Sequence, residues 1–339
     1  MSGYGASVDT RRDAPGMFDQ GMFGPDSAAW QLDREAMLLL GTGPRALLLQ
    51  LAHPGVAAGV AEHSDFRADP WKRLDGTLRS YLRIIYGSTV AARDEIRRLN
   101  ALHRGIRGRD YDARDPALSL WVHATLVDST VVANDAWSGP VTRDRAARFY
   151  DETKPIARAF GVPDAALPPD LDAFEAYLEA QLGPEGPVRV GATARELAEA
   201  ILHPPLPGVL SRVGVHPRLY DWTLWPSIGL LPDSIRTGYR LPWGPLERAV
   251  SRWLVAGWRV WNPILPPSFR QMPQALAADR RVSRRPGTAV GTASTGRPTS
   301  RRPASRAASG YSRSRSVDRP RTASASPRTG SSPSAGAPG

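Results

Sequence analysis

Residues Asp115–Trp137, reading DPALSLWVHATLVDSTVVANDAW, constrain this chain more than any other stretch. Asp115 suits a helix cap and Pro116 the first helical position. From Pro116 to Val127 there is no formal charge, and apolar residues fall on nearly every side of the helical wheel. A helix apolar all round belongs in a core, so the rest of the chain must supply the elements that cover it. His123 stands in its middle, with Leu120 and Val127 one turn away on either side and Ser119 and Thr130 nearby. Desolvation would hold a buried imidazole neutral. Neutral imidazole suits a hydrogen-bonded core histidine and equally suits a metal ligand, and residue type alone leaves both readings open.

The covering elements are also helical. Ser27–Leu40 is amphipathic, with Trp30, Met37 and Leu38 on one side and Asp33, Arg34 and Glu35 on another, and Gly41–Gly43 is expected to end it. Pro44–Leu51 continues helically, and His53-Pro54 starts a helix of small residues, Gly55–Glu62, with His63 at its end. In Trp71–Tyr86, residues Trp71, Leu74, Leu78, Tyr81, Leu82 and Ile85 recur at helical spacing, and Arg73, Thr77, Ser80 and Ile84 form an adjacent strip. Gly76, mid-helix, costs about 1 kcal/mol relative to alanine. It implies either tight helix packing or the approach of something flat and rigid. Further helices are expected over Thr89–Ile106, Thr142–Phe160, Leu171–Leu182, Ala192–His203 (with a Thr193–Glu196 capping box), Tyr220–Leu230 and Leu246–Trp261. No alternating strand signal competes, so the fold class is all-α, a multi-helix single domain over residues 26–277.

Flanking that domain, residues 1–25 read as a flexible leader and residues 278–339 as a disordered tail of Ser, Arg, Pro, Ala and Gly, too poor in apolar surface to offset ordering entropy. The formal charge of +11 resides in this tail: from Asp279 onward there are 13 arginines and two aspartates, whereas the preceding chain carries 31 basic and 31 acidic residues. Attraction to polyanions would concern the tail alone, and nothing marks it as a specific nucleic-acid reader. Trp253, Trp258 and Trp261, interleaved with Arg248, Arg252 and Arg259, read as core with a solvated basic face, an interfacial membrane helix being the alternative. The most apolar run, Ala36–Ala61, is broken by glycines, prolines, Arg45 and His53, and Met1–Gly24 lacks a signal-peptide core. The expectation is a cytoplasmic protein, soluble or in peripheral membrane contact at most.

The absence of cysteine excludes disulfides, thiolate metal sites and cysteine nucleophiles, leaving six histidines as the soft nitrogen donors. There is no phosphate loop, dinucleotide fingerprint, HExxH or GxSxG. A two-metal carboxylate bundle would need Glu-x-x-His pairs, and none occurs. What remains is His53, His63, His103 and His123 inside an apolar helical domain, and one histidine beside an open pocket is how proteins hold haem iron. His53 also suits a helix cap, His103 a helix C-terminus, and His203 and His216 lie beside prolines with no assigned role.

Four segments resemble one family: LAHPGVAAGVAEHSDF (Leu51–Phe66), WKRLDGTLRSYLRIIYGST (Trp71–Thr89), LHRGIRGRDYDARDPALSLWVHATLVDS (Leu102–Ser129) and YDETKPIARAFGVP (Tyr150–Pro163). In order and spacing they are similar to the oxygenase MpaB family, which includes the rubber-cleaving latex clearing proteins, over roughly Ala29 to Pro267. The resemblance implies haem b in a globin-like helical core, with His123 as the proximal metal ligand. It matches Arg73 and Thr77 to a distal R-x-x-K-T run and puts Gly76 in place of the family's distal lysine. That departure argues against a Lys–Fe–His resting state and leaves the distal face clear for substrate or dioxygen. Arg73 would orient bound oxygen or a haem propionate, and Glu62 or Asp65 corresponds loosely to an upstream acidic base. The implied function is a haem-dependent oxygenase or dioxygenase acting with dioxygen on an apolar isoprenoid or lipid substrate, with room for an electron donor. The alternative is a non-catalytic haem- or lipid-binding helical protein.

Overall fold

The computed structural model of the protein describes residues 19–36, 38–64, 69–204 and 217–283. Its α-helices, in chain order, are α1 Ala28–Leu32, α2 Leu38–Leu51, α3 Pro54–His63, α4 Pro70–Tyr86, α5 Thr89–His103, α6 Pro116–Trp137 and α7 Arg143–Ala159. They continue as α8 Leu171–Leu182, α9 Ala192–Leu202, α10 Pro217–Gly229, α11 Asp233–Gly238, α12 Pro245–Trp261, α13 Pro267–Arg270 and α14 Pro273–Ser283. Among the described residues there is no strand, only isolated bridges at Glu35–Gln271 and Arg107–Asp112, so the all-α expectation holds.

Helix α6 is the axis, as its sequence requires. Asp115 Oδ1 accepts from the Ala117 N–H at 2.8 Å, and Pro116 opens the helix. Trp121, Ala124, Val127 and Val131 enter the main core with Trp30, Leu48, Leu49 and Ile85. Trp121 is fully buried and donates from Nε1 to the Leu49 carbonyl at 3.2 Å. Helix α2 lies along α6 and meets the first charge the central helix carries: Arg45 Nη2 is 2.7 Å from Asp128 Oδ2, with both side chains 2% exposed. Arg45 also donates to Ser129 Oγ and the Leu230 carbonyl, so one arginine ties α2, α6 and the end of α10 together.

Several boundaries differ from the sequence expectation. The first amphipathic segment is two helices, because Asp33–Ala36 breaks away to reach distant partners. Gly41 and Gly43 do not stop α2; they lie inside it. A Cβ on Gly41 would come within 2.7 Å of Trp137 Nε1, so that glycine admits the indole and does not terminate the helix. No side chain caps α9 at its N-cap, Gly191, so the helix begins ahead of the expected Thr193 cap. The N-terminal boundary moves too: Asp19 accepts from the Thr89 N–H and hydroxyl, and Phe23 is buried. At the other end, residues 278–283 complete α14. Asp279 accepts from Trp30 Nε1 at 3.0 Å and pairs with Arg34 at 2.6 Å, so a domain edge at residue 277 is too early. The rest of the tail lies outside the described residues.

The tryptophan-rich helix α12 is the largest departure. It buries none of its residues. Trp258 and Val255 lean on Ala133 and Trp137, but Trp253 is 73% and Trp261 61% exposed. The reading of these three tryptophans as core fails for two of them. No helix among the described residues is long and apolar enough to cross a membrane.

Candidate functional site

His123 is 6% exposed, and its Nε2 atom is buried without any hydrogen-bond partner among the described residues. Burial alone holds its pKa down, from 6.5 to about 4, so the ring is neutral near pH 7. An unpaired buried polar atom costs roughly 1–3 kcal/mol, and such atoms are uncommon in native cores. A neutral imidazole with a free, sheltered nitrogen is what an axial metal ligand requires. On that observation, the residues present fit the cofactor implied by the family resemblance.

The α4 residues form a second group. Arg73 Nη1 hydrogen-bonds Thr77 Oγ1, one turn along, and Arg73 Nε donates to Ser64 Oγ at 3.2 Å. Arg73 therefore joins the start of α4 to the residue that ends α3. Both Arg73 and Thr77 are exposed, yet desolvation by the surrounding protein lowers the Arg73 pKa from its ordinary value. Burial, and then the charge of Arg73, holds His103 below the usual histidine range. A mainly neutral His103, 6.0 Å from the Phe160 ring, is therefore not the cation that would stabilise a helix C-terminus.

Two sets of contacts orient α4 relative to α6. Near their C-terminal halves, Asp33 Oδ2 accepts from the Tyr81 hydroxyl of α4 at 2.9 Å, and Oδ1 from the Thr130 hydroxyl of α6 at 3.3 Å. Near their N-terminal ends, Arg73 acts on His103, His103 neighbours Phe160, and Leu120 packs with Ala157 and Val162. Arg73 and Thr77 lie about two turns and one turn before Tyr81, and His123 about two turns before Thr130. No hydrogen bond or ion pair joins His123 to the α4 group among the described residues.

Gly76 is exposed, and a Cβ there would meet nothing within 4 Å. Helix packing is thus not its reason. It opens onto a surface groove of about 260 Å³ shared with Arg79, Ser80, Arg83, Glu95 and Arg98; Arg73, Thr77 and His123 do not line that groove. Glu62 is exposed near the end of α3, and its Oε2 accepts from the Tyr111 hydroxyl at 2.6 Å. Burial and the Glu62 carboxylate together push Tyr111 up to about 12. Asp65, the other acidic candidate, lies outside the described residues, as does His216.

The remaining histidines have structural partners. His53 Nδ1 accepts from the Gly55 N–H at 3.2 Å and caps α3. His63 Nε2 is hydrogen-bonded with the Arg107 carbonyl at 3.3 Å. The Tyr150–Lys154 segment is structural too: Tyr150 donates to the Pro168 carbonyl, Glu152 accepts from the Ala29 N–H, and Lys154 donates to the Pro169 carbonyl.

Sequence reasoning missed the buried carboxyl between the two helices. Asp33 is 9% exposed and has no cationic partner among the described residues; burial, opposed by the Tyr81 and Thr130 hydroxyls, raises it to about 7. Its partners lie 48 and 97 residues away, so no local pattern could reveal it.

Among curated proteins, the chain is 28% identical over 231 residues to the uncharacterized protein Rv2237 of Mycobacterium tuberculosis, covering 65% of this chain and 87% of that one. The uncharacterized protein Mb2261 of Mycobacterium bovis matches with the same identity and coverage. No solved structure matches. Residues 30–260 match the family described as ER-bound oxygenase mpaB/B'/Rubber oxygenase, catalytic domain, and the chain belongs to that family of oxygenases.

Proposed function

We propose that this protein is a haem b-dependent oxygenase acting on an apolar isoprenoid or lipid substrate, in which His123 would hold the haem iron within a globin-like helical core. Family membership supports the reaction class, and the buried, neutral and unpartnered Nε2 of His123 is the observation that carries the cofactor assignment. When bound, haem would supply the activation of dioxygen.

The chain's own residues would do the rest. Packing around His123 keeps water from the ligating nitrogen. Arg73, held by Thr77 and Ser64, would bind and orient an anionic group, either a propionate or a negatively charged oxygen. Thr77 presents a hydroxyl beside that guanidinium, and its own proton is directed to the Arg73 carbonyl at 3.0 Å. Glu62 is a base candidate: Oε2 is engaged by Tyr111, so Oε1 is the atom that would take up a substrate proton. Gly76, where no side chain projects, would leave approach to the α4 face open.

The test is an absorption spectrum of protein purified from cells supplied with haem precursor, before and after dithionite, for the unaltered chain and for His123→Ala. A Soret band that is lost with His123 is expected; no band and no haem uptake by folded apoprotein would overturn the proposal. Arg73→Ala separates an oxygenase from a haem carrier. In an oxygenase it should lower turnover of an unsaturated apolar substrate while haem is retained.

A further inference from the structure

Helix α12 is fixed on its inner side and bare on its outer side. Arg259 donates from Nε and Nη2 to the Ala136 and Asp135 carbonyls at 2.8 and 2.7 Å, holding α12 against the end of α6. Its one acidic residue, Glu247, folds back to accept from the Gly244 N–H at 2.7 Å. On the other side, Leu246, Trp253 and Val260, at helical spacing, are 63%, 73% and 64% exposed. At the last residue of the helix and beyond it, Trp261, Ile264 and Phe269 are 61%, 69% and 75% exposed. Single exposed apolar residues need no explanation; six large ones on one helix and the turn after it mark an interaction surface.

Charge selects the occupant. Arg248 and Arg252, one turn apart and both exposed, edge the apolar strip. Residues 284–339, which follow α14, add 11 arginines against a single aspartate. A second copy of the chain would bring this positive excess against itself. An anionic bilayer satisfies both features: indole, phenyl and aliphatic groups enter the headgroup–acyl boundary while guanidinium groups meet lipid phosphates.

We propose that the outward face of α12, together with the Trp261–Phe269 segment, is a peripheral docking surface for an anionic phospholipid bilayer. This surface is independent of whether His123 holds haem, and it would bring the domain to where lipid-soluble substrates reside.

The test is partition of the full chain onto vesicles of phosphatidylcholine alone and of an equal mixture with phosphatidylglycerol. Binding is expected on the mixed vesicles, weakening with salt. It should fall roughly tenfold or more in a Trp253→Ser, Trp261→Ser, Phe269→Ser variant that retains its helical circular dichroism. Arg248→Gln and Arg252→Gln should each cost up to about fivefold. A second measurement needs no variant: brominated phospholipid should quench the tryptophan fluorescence of the bound chain. Absence of binding, binding undiminished in the triple variant, or binding without quenching would each overturn the proposal. So would a concentration-dependent dimer, seen in sedimentation velocity, that the triple variant abolishes while the unaltered chain ignores vesicles.

Discussion

The two halves of α6 treat buried polar groups differently. From Thr125 to Asn134 each buried polar side chain finds a partner: Thr125 the Val122 carbonyl, Asp128 and Ser129 the Arg45 guanidinium, Thr130 the Asp33 carboxylate, Asn134 the Leu32 carbonyl. Before them on the same helix, His123 Nε2 has none. Trp137 Nε1, at the far end, is also unpaired, but its ring is the group for which Gly41 leaves space. A fold that satisfies five consecutive polar positions is not short of acceptors and donors. On the proposed reading, the bare nitrogen of His123, one of seven buried unpartnered side-chain atoms among the described residues, is reserved for a ligand that the chain itself does not supply.

That contrast has consequences of decreasing size. The largest is on the paired half. Asp128→Ala should destabilise the protein by about 3–5 kcal/mol, because it strands the Arg45 guanidinium in the core. Urea unfolding of the apoprotein measures it, and a loss below about 1 kcal/mol would show that Arg45 finds water instead.

Next come Asp33 and His123, buried ionisable groups with no ionic partner among the described residues, which should tilt stability in opposite directions with pH. The folded pKa of His123, about 4, lies below its ordinary value of 6.5. Its contribution is therefore present above about pH 6.5 and is lost as pH falls toward 4. Asp33 is raised from 3.8 to about 7, so stability is greatest below about pH 4 with respect to this group and declines as pH rises through 7. The effects are at most about 3.5 kcal/mol for His123 and about 4.5 kcal/mol for Asp33. Between about pH 4 and 6.5 the two contributions oppose each other, so relative to the unaltered chain His123→Leu should make unfolding midpoints fall more with rising pH and Asp33→Asn should make them rise more; unchanged slopes in both would refute the assignment.

The smallest effect concerns α4. Gly76→Ala removes an exposed mid-helix glycine whose Cβ would touch nothing, so it should raise stability by up to about 1 kcal/mol, read as a higher melting temperature. A loss would mean that the groove beside it is less open than it is here.

What could be read from the sequence followed locality. The course of α6, its Asp115 cap and the burial of His123 were legible, because an uncharged helix apolar on every side has only one place to go. Arg73 and Thr77 were legible as a pair because four residues is one helical turn. Features made by distant residues were not. Arg45 and Asp128 are 83 residues apart, and Asp279 reaches Trp30 and Arg34 across more than 240. That long reach is why α14 runs into a segment whose composition suggests only a tail. The tryptophans of α12 were misjudged for a related reason: helical spacing shows that a face is apolar, and only the neighbours decide whether it is covered.

The central claim concerns one nitrogen atom, and one paired measurement tests it. Haem would be titrated into the folded apoprotein and into His123→Leu, with the urea stability of both recorded on the same samples. The expected result is a Soret band with saturable uptake in the unaltered chain, none in His123→Leu, and a stability change in the apoprotein near zero or slightly favourable, because an apolar side chain replaces an unpaired polar atom. Equal haem uptake by both proteins, or a His123→Leu apoprotein destabilised by several kcal/mol, would contradict it: His123 would then be a core residue and not a ligand.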